Sequence, residues 1–369
     1  MKGEAVKGQE RLGEPGSRRR VLSSLPALAV AARAWGHPSE VRQVGELSFP
    51  RDHGAHAQYR TEWWYITGWM SDEEKGELGM QVTFFRSRPG VQEDNPSAFA
   101  PKQLVFAHCA VADPRLGRLR HDQRAARAGL GLAEVEAGTT RVWVEDWSLQ
   151  LTPDGYVARI PARDFDMALT FKPTQPILLE GDRGFSRKGP KPAQASYYYS
   201  WPHLTVGGTI ALEGRTRRVA GQAWLDHEWS SEYLAPDAAG WDWIGINLAD
   251  GSALMAFRIR SRGGRDLWAG GTLRDAAGRS RAFAPGDIRF QPLRTWRSPR
   301  TNAEYPVAMR VSAGPITLSL DPLMSDQELD SRATTGAIYW EGAVRAIRDG
   351  VEVGRGYLEL TGYFSPLRL

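Results

Sequence analysis

The sequence predicts an all-β protein, and three observations carry that prediction. Short runs rich in aromatic and β-branched residues recur at strand length along the chain. Turn-forming clusters separate them, among them Asp72-Glu-Glu-Lys-Gly76, Asp113-Pro-Arg115 and Thr152-Pro-Asp-Gly155. Helical periodicity is weak throughout. Many short strands at this spacing close into sandwiches or barrels, and 369 residues are enough for two domains of ordinary size.

The first 34 residues read as a leader. Ser17-Arg-Arg-Arg-Val-Leu22 has the twin-arginine form, Val21 to Ala32 is a short Ala-rich apolar stretch, and Ala32-Arg-Ala34 offers a small-x-small cleavage site. The apolar stretch is too short to span a membrane. Export to the periplasm by the twin-arginine route is the expectation. The charge balance depends on it: of 47 Lys/Arg and 43 Asp/Glu, seven and three fall in this leader, which leaves forty of each. The remainder is formally neutral, so no nucleic-acid partner is expected.

After a short spacer, Arg51-Asp-His-Gly-Ala-His56 is a polar loop with two histidines, and Thr61 to Trp69 is the first strand. Alternation puts Glu62, Trp64, Ile66 and Gly68 on one face and Trp63, Tyr65, Thr67 and Trp69 on the other. A carboxylate beside a large aromatic must be paired, hydrogen-bonded or shifted in pKa. Glu62 is therefore either tethered to an arginine such as Arg60 or Arg86, or a pocket acid. Leu78 to Arg86 completes a hairpin. Leu104 to Val111 follows and holds Cys109, the one cysteine, which reads as a buried, inert thiol. A short helix is expected around Arg124 to Val135. Arg141 to Leu151, Tyr156 to Ile160 and Met167 to Lys172 are further strands.

Pro173 to Ser196 is a long polar, Gly/Pro-rich stretch of the kind that forms lids and flaps. It leads into the aromatic cluster Tyr197, Tyr198, Tyr199 and Trp201, which is either core or pocket wall. Next comes Trp224-Leu-Asp-His-Glu-Trp229. In an extended chain Asp226 and Glu228 share one face, and His227 and Trp229 share the other. A histidine flanked by carboxylates suits general acid–base work. A buried hydrogen-bonded lock is the alternative. Residue 231 is serine, so the two-histidine zinc-protease motif is absent, and a metal site from His53, His56, His227 and Glu228 would need two loops to meet.

The opening hairpin is echoed. Trp64-Tyr-Ile-Thr-Gly-Trp69 and Met80 to Arg88 have counterparts in Trp243-Ile-Gly-Ile-Asn-Leu248 and Leu254 to Arg262, both ending in Arg-Ser-Arg. Two tandem β-domains follow from this echo, 45–232 and 233–369. The second continues through strands at Asp266 to Leu273, Val307 to Ser312, Ile316 to Leu320, Ala337 to Val344 and Val351 to Tyr363.

Arg51-Asp-His-Gly-Ala-His, Thr61-Glu-Trp-Trp-Tyr-Ile-Thr-Gly, Ser196-Tyr-Tyr-Tyr-Ser, Trp224-Leu-Asp-His-Glu-Trp and Gly354-Arg-Gly-Tyr-Leu-Glu-Leu-Thr-Gly-Tyr363 together resemble the AttH/carotenoid 1,2-hydratase family of exported lipocalin-like proteins. The resemblance runs over 45 to 365. It implies two calycin-like β-barrels packed side by side and, in some members, hydration of an isoprenoid double bond without a cofactor. It also implies a role for a His-x-Trp pair, here His227 and Trp229. Asp242, in Trp241-Asp-Trp243, is a candidate for the accompanying aspartate.

The resulting expectation is a cofactor-free hydratase for an apolar substrate. Glu62, Asp226 or Asp242 would protonate the alkene, with Glu228 in the same polar cluster. Trp64, Tyr198 and Trp229 would face the cation, and His227 would orient the water. Tyr65, Tyr197, Tyr199, Trp201, Trp241, Trp243 and His53 complete the expected binding wall. The expected partner is an apolar small molecule, with transient association with a membrane as a separate expectation. The alternatives are a carrier of such a molecule and a secreted hydrolase.

Overall fold

The computed structural model describes residues 38–367 apart from 44, 45, 92 and 98. The expected leader, residues 1–34, lies outside the described residues. No α-helix occurs among the described residues; strands and three short 3-10 turns account for the regular structure.

The first sheet uses thirteen strands. Its opening hairpin is β1 (Thr61–Asp72) and β2 (Glu77–Ser87), followed by β3 (Leu104–Ala112) and β4 (Arg120–Arg127). Then come β5 (Ala133–Val135), β6 (Arg141–Val144), β7 (Trp147–Thr152), β8 (Gly155–Pro161) and β9 (Phe165–Pro173). The short β10 (Leu178–Leu179) and β11 (Phe185–Arg187) precede the long β12 (Ala195–Leu212) and β13 (Arg215–Ser230). In space the order is β4-β3-β2-β1-β13-β12-β9-β8-β7-β6-β5, antiparallel wherever neighbours pair. The two ends of this path pack together, β3 and β4 against β6, so the sheet curls into a nearly closed barrel. Full closure removes the exposed edges that a flat sheet would leave.

The second sheet has ten strands. They are β14 (Ala238–Leu248), β15 (Ala253–Ser261), β16 (Asp266–Arg274), β17 (Ser280–Phe283) and β18 (Ile288–Arg297), then β19 (Glu304–Ala313), β20 (Ile316–Pro322), β21 (Glu328–Ser331), β22 (Ala337–Arg348) and β23 (Val351–Leu360). Here β18 folds back on β15 and β16. The echoed hairpins, β1–β2 and β14–β15, occupy corresponding places at the start of each sheet. The fold class is thus all-β, with two lipocalin-like antiparallel barrels.

Two expectations need correction. Residues 124–135 form no helix: Arg124 to Arg127 finish β4, which pairs with β3, and the stretch then turns at Gly129 and Leu130, both in the left-handed region, into β5. Pairing along a whole strand outweighs a local helical preference that two glycines already weaken. The stretch 173–196 is not a free flap either, because β10 and β11 both pair with β12.

Alternation sorts most of the apolar side chains into three large cores, beside a small fourth cluster around Ala110, Leu119, Leu329 and Tyr339. Trp64, Ile66, Trp147, Tyr156, Tyr199 and Trp229 fill the first barrel. Ile244, Ile246, Tyr305 and Trp340 belong to the second. Tyr65, Trp69, Tyr198, Trp224 and Trp243 form a third cluster where the outer faces of the two sheets meet. The sheets approach closely at Gly79, where a Cβ would lie 2.8 Å from the Ala343 Cβ and 2.8 Å from the Tyr357 hydroxyl.

Candidate active site between the sheets

The register of β1 and β13 sets Trp63 opposite Glu228, Trp64 opposite His227 and Tyr65 opposite Asp226. Because faces alternate, this single ladder splits the predicted residues between two environments. Glu62, Trp64, His227 and Trp229 point into the first barrel. Trp63, Tyr65, Asp226 and Glu228 point outward, at the second sheet. The predicted site therefore does not assemble as one constellation.

Inside the barrel the polar groups lock one another. The Arg86 Nε donates to Glu62 at 2.8 Å, and His56 Nδ1 and His227 Nε2 lie 2.7 and 2.9 Å from the other Glu62 oxygen. Burial opposes the Glu62 charge, but Arg86 and His56 outweigh it and hold the carboxyl well below its usual range. Burial likewise opposes a charged His56, yet Glu62 and Asp52 raise its pKa. His227 is different: burial pushes it down to about 4, so it is a neutral imidazole that gives its Nε2 proton to Glu62. His56 stacks on Trp229 at 3.7 Å, and His227 on Trp64 at 4.7 Å. His53 takes Tyr199 at 2.9 Å and stacks on Trp201. Tyr197 sits at the rim and donates to the Arg42 carbonyl.

His56, Glu62 and His227 place ligand atoms within 4.8 Å of one another, a spacing that a metal ion could use. The Arg86 guanidinium already supplies the positive charge there, and both imidazoles are engaged with one Glu62 oxygen. The donor set fits an ion-pair lock. Glu228, on the opposite face, could not join it.

Asp242 lies in neither place. It faces the second barrel, where Arg258 Nε at 2.7 Å, Arg260 Nε at 2.9 Å and the Tyr363 hydroxyl at 3.1 Å donate to it. Register puts Asp242 opposite Arg258 just as it puts Glu62 opposite Arg86. Each opening hairpin thus carries the same buried acid–arginine lock.

The outward face is another matter. Between the sheets lies a cavity of about 300 Å³, and it opens into a wider depression of about 710 Å³ past Thr61, Tyr233 and Ala337. Trp63, Phe85, Trp241, Trp243 and Phe257 give it aromatic walls. Four carboxylates reach it: Asp226, Glu228, Glu341 and Glu359. Glu228 is paired with Lys188 at 2.8 Å, and that ammonium rests over the rings of Tyr198, Tyr233 and Phe257. The other three acids have no such cation in ion-pair contact among the described residues.

Glu341 and Glu359 stand directly opposite on β22 and β23. Burial first, and then the charge of Glu359, push Glu341 well above the ordinary carboxylate range. The buried Tyr65 hydroxyl beside Glu341 pulls it the other way without offsetting burial. Glu359, partly exposed to the cavity, accepts from Trp241 Nε1 at 3.0 Å and is also raised by burial. Asp226 accepts from Tyr198 at 2.6 Å, Trp224 at 2.6 Å and Ser200 at 2.5 Å, and burial still lifts it to about 7. At the far end Tyr339 meets His108 Nδ1 at 2.9 Å, and burial keeps that imidazole neutral by pushing it down to about 3.

Of the predicted wall, then, Tyr65, Tyr198, Trp241 and Trp243 meet Asp226 and Glu228 in this cavity. Trp64, Tyr199, Trp201 and His53 belong to the first barrel, and Tyr197 to its rim. Lys188, Glu341 and Glu359 were missed. Glu341 did carry a signal, as the one acid in the otherwise apolar run Ala337 to Val344.

The family model for AttH-like proteins matches residues 40–363. The chain belongs to the AttH-like family. Among solved structures it is similar to a Nitrosomonas europaea protein assigned as AttH, at 54% identity and TM-score 0.83, covering 88% of this chain and 99% of that one. It is similar in fold to the kievitone hydratase of Nectria haematococca, at 12% identity and TM-score 0.67, covering 89% and 96%. It is also similar in fold to CghA, at 13% identity and TM-score 0.52, covering 83% and 89%. No curated protein matches the sequence.

Proposed function

We propose that the cavity between the sheets adds water to a carbon–carbon double bond of an apolar, isoprenoid-like small molecule, or removes it in the reverse direction. The observation that carries this reading is Glu341: a buried carboxyl faced by a second carboxyl, Glu359, and met by no cation among the described residues, on the wall of an aromatic cavity. Protonating an alkene requires an acid that is still neutral near neutral pH, and burial beside a second carboxyl supplies one. Glu341 gives its proton to one alkene carbon, and the π faces of Trp63 and Trp243 stabilise the cation that forms at the other. Water held between Tyr65 and Glu359 attacks that carbon. Its proton returns to the carboxylate pair, so the reaction closes without a cofactor. The fold shared with a kievitone hydratase supports the reading.

The test is turnover of prenyl-type alkenes in oxygen-18 water, with product mass reporting a single added label. Glu341→Gln is expected to lower turnover by about 100-fold or more while the fold persists. Unchanged turnover in that variant would remove Glu341 from the mechanism. The aromatic walls also suit a second reading, a carrier of the same class of molecule, in which ligand is retained and never converted. Export by the twin-arginine route belongs to this proposal, on the strength of the Ser17–Leu22 motif. N-terminal sequencing of protein from the periplasmic fraction checks it, and a chain still starting at Met1 would count against it.

A further inference from the structure

The mechanism above gives no role to Glu180. Glu180 sits just after β10, wholly buried, behind the cavity wall. Its Oε1 lies 2.7 Å from the Ser200 hydroxyl, and the Thr272 hydroxyl also meets its carboxyl. The same Ser200 oxygen lies 2.5 Å from Asp226 Oδ1.

A hydroxyl carries one proton, so Ser200 can donate to only one of two carboxyl oxygens. The second contact is a hydrogen bond only if the other carboxyl is protonated and donates to the serine oxygen. Asp226 already receives the Trp224 and Tyr198 protons, at 2.6 Å each. The Tyr198 oxygen accepts from Trp243 Nε1 at 3.0 Å, which leaves the phenol proton directed at Asp226. With Ser200 as its third donor, Asp226 is the carboxylate, and Glu180 holds the extra proton.

We propose that Glu180 is a proton store, linked to the cavity through Ser200 and Asp226. Each hop breaks one O–H bond and forms one. As the Glu180 proton passes to Ser200, the serine proton passes to Asp226. Asp226, which lines the cavity, then gives that proton to an acceptor there and returns to the carboxylate. The inference rests on the acid–base reading for its purpose, since a filled cavity shuts out the water that would otherwise replenish it. Burial, the largest influence, lifts Glu180 to about 8, above Asp226. The groups facing Glu180 are Asp226 on β13, Lys188 from the β11–β12 connection and Arg274 on β16, the last held by the Pro176 carbonyl and Gln175.

The test is infrared spectroscopy of the protonated-carboxyl stretch at neutral pH on the whole protein without ligand. A band removed by Glu180→Gln and kept by Asp226→Asn is expected. A band lost with Asp226→Asn alone, or one untouched by Glu180→Gln, overturns the assignment. Ser200→Ala should slow deuterium exchange of that band about tenfold, one hydrogen bond's worth of barrier, and Ser200→Thr should restore it. Equal exchange rates in wild type and Ser200→Ala overturn the conduit. If Glu180→Gln does not fold, carbon-13 titration of glutamate-labelled wild type takes its place. A glutamate carboxyl that stays protonated past neutrality and moves in Ser200→Ala supports the store; one that does not move overturns it. None of these readouts needs turnover, so a protein that hydrates nothing yet shows the Glu180 band would lose the hydratase reading and keep the store.

Discussion

Glu62, inside the first barrel, and Glu341, between the sheets, are both almost wholly removed from solvent, at 0% and 2% exposure. Glu62 has a guanidinium at 2.8 Å and two imidazoles on its other oxygen. Glu341 has another carboxyl across the ladder and no cation in ion-pair contact among the described residues. The first is driven down in pKa and the second up. Burial is common to both, so the neighbours decide which acid becomes structural and which is free to release a proton.

The largest expected effect separates the two directly. Arg86→Met leaves Glu62 charged, buried and short of its main partner, and should cost about 3–5 kcal/mol of stability in urea unfolding. Glu341→Gln should stay within about 1 kcal/mol of wild type, because no ion pair is broken. If both variants lose the same stability, the distinction fails. Asp242→Asn strips Arg258 and Arg260 of their acid and should cost about 3 kcal/mol, with turnover kept at temperatures where it folds. Lost turnover in a folded Asp242→Asn protein would place Asp242 in the chemistry after all.

The pH dependence sharpens the same contrast. His227 has a folded pKa of about 4 against an ordinary 6.5, so the unfolded chain takes its proton first. Its stability penalty is absent above pH 6.5, grows as pH falls and is complete below about 4. Asp226 runs the other way: its penalty is absent below 3.8, grows as pH rises and is complete above about 7. Asp226→Asn should therefore flatten the slope of stability against pH across that upper window and leave the acid limb in place. The smallest effect is expected from Trp243→Phe, which removes the donor to Tyr198 and should cost about 1 kcal/mol.

The sequence made the strand faces legible. Period-two alternation separated Glu62 and Trp64 from Trp63 and Tyr65, and His227 from Asp226, as the β1–β13 ladder does. It also showed the repeated hairpin with its Arg-Ser-Arg ending. It could not show that opposite faces of one strand open into different compartments, so residues that adjoin in sequence were combined into a single site. Glu341 and Glu359 lie on different strands and meet only through the β22–β23 register. Lys188 and Glu180 come from a stretch whose Gly/Pro content reads as loop, although β10 and β11 tie it to β12.

The close approach at Gly79 has a consequence for specificity. With no room there even for a methyl group, the gap between the sheets is gauged by a residue that does not line the cavity. Any side chain at position 79 would act as a shim, prising the barrels apart and thickening the slot between Tyr65 and Glu341. The width of the cavity would then change while every group that lines it stays as it is.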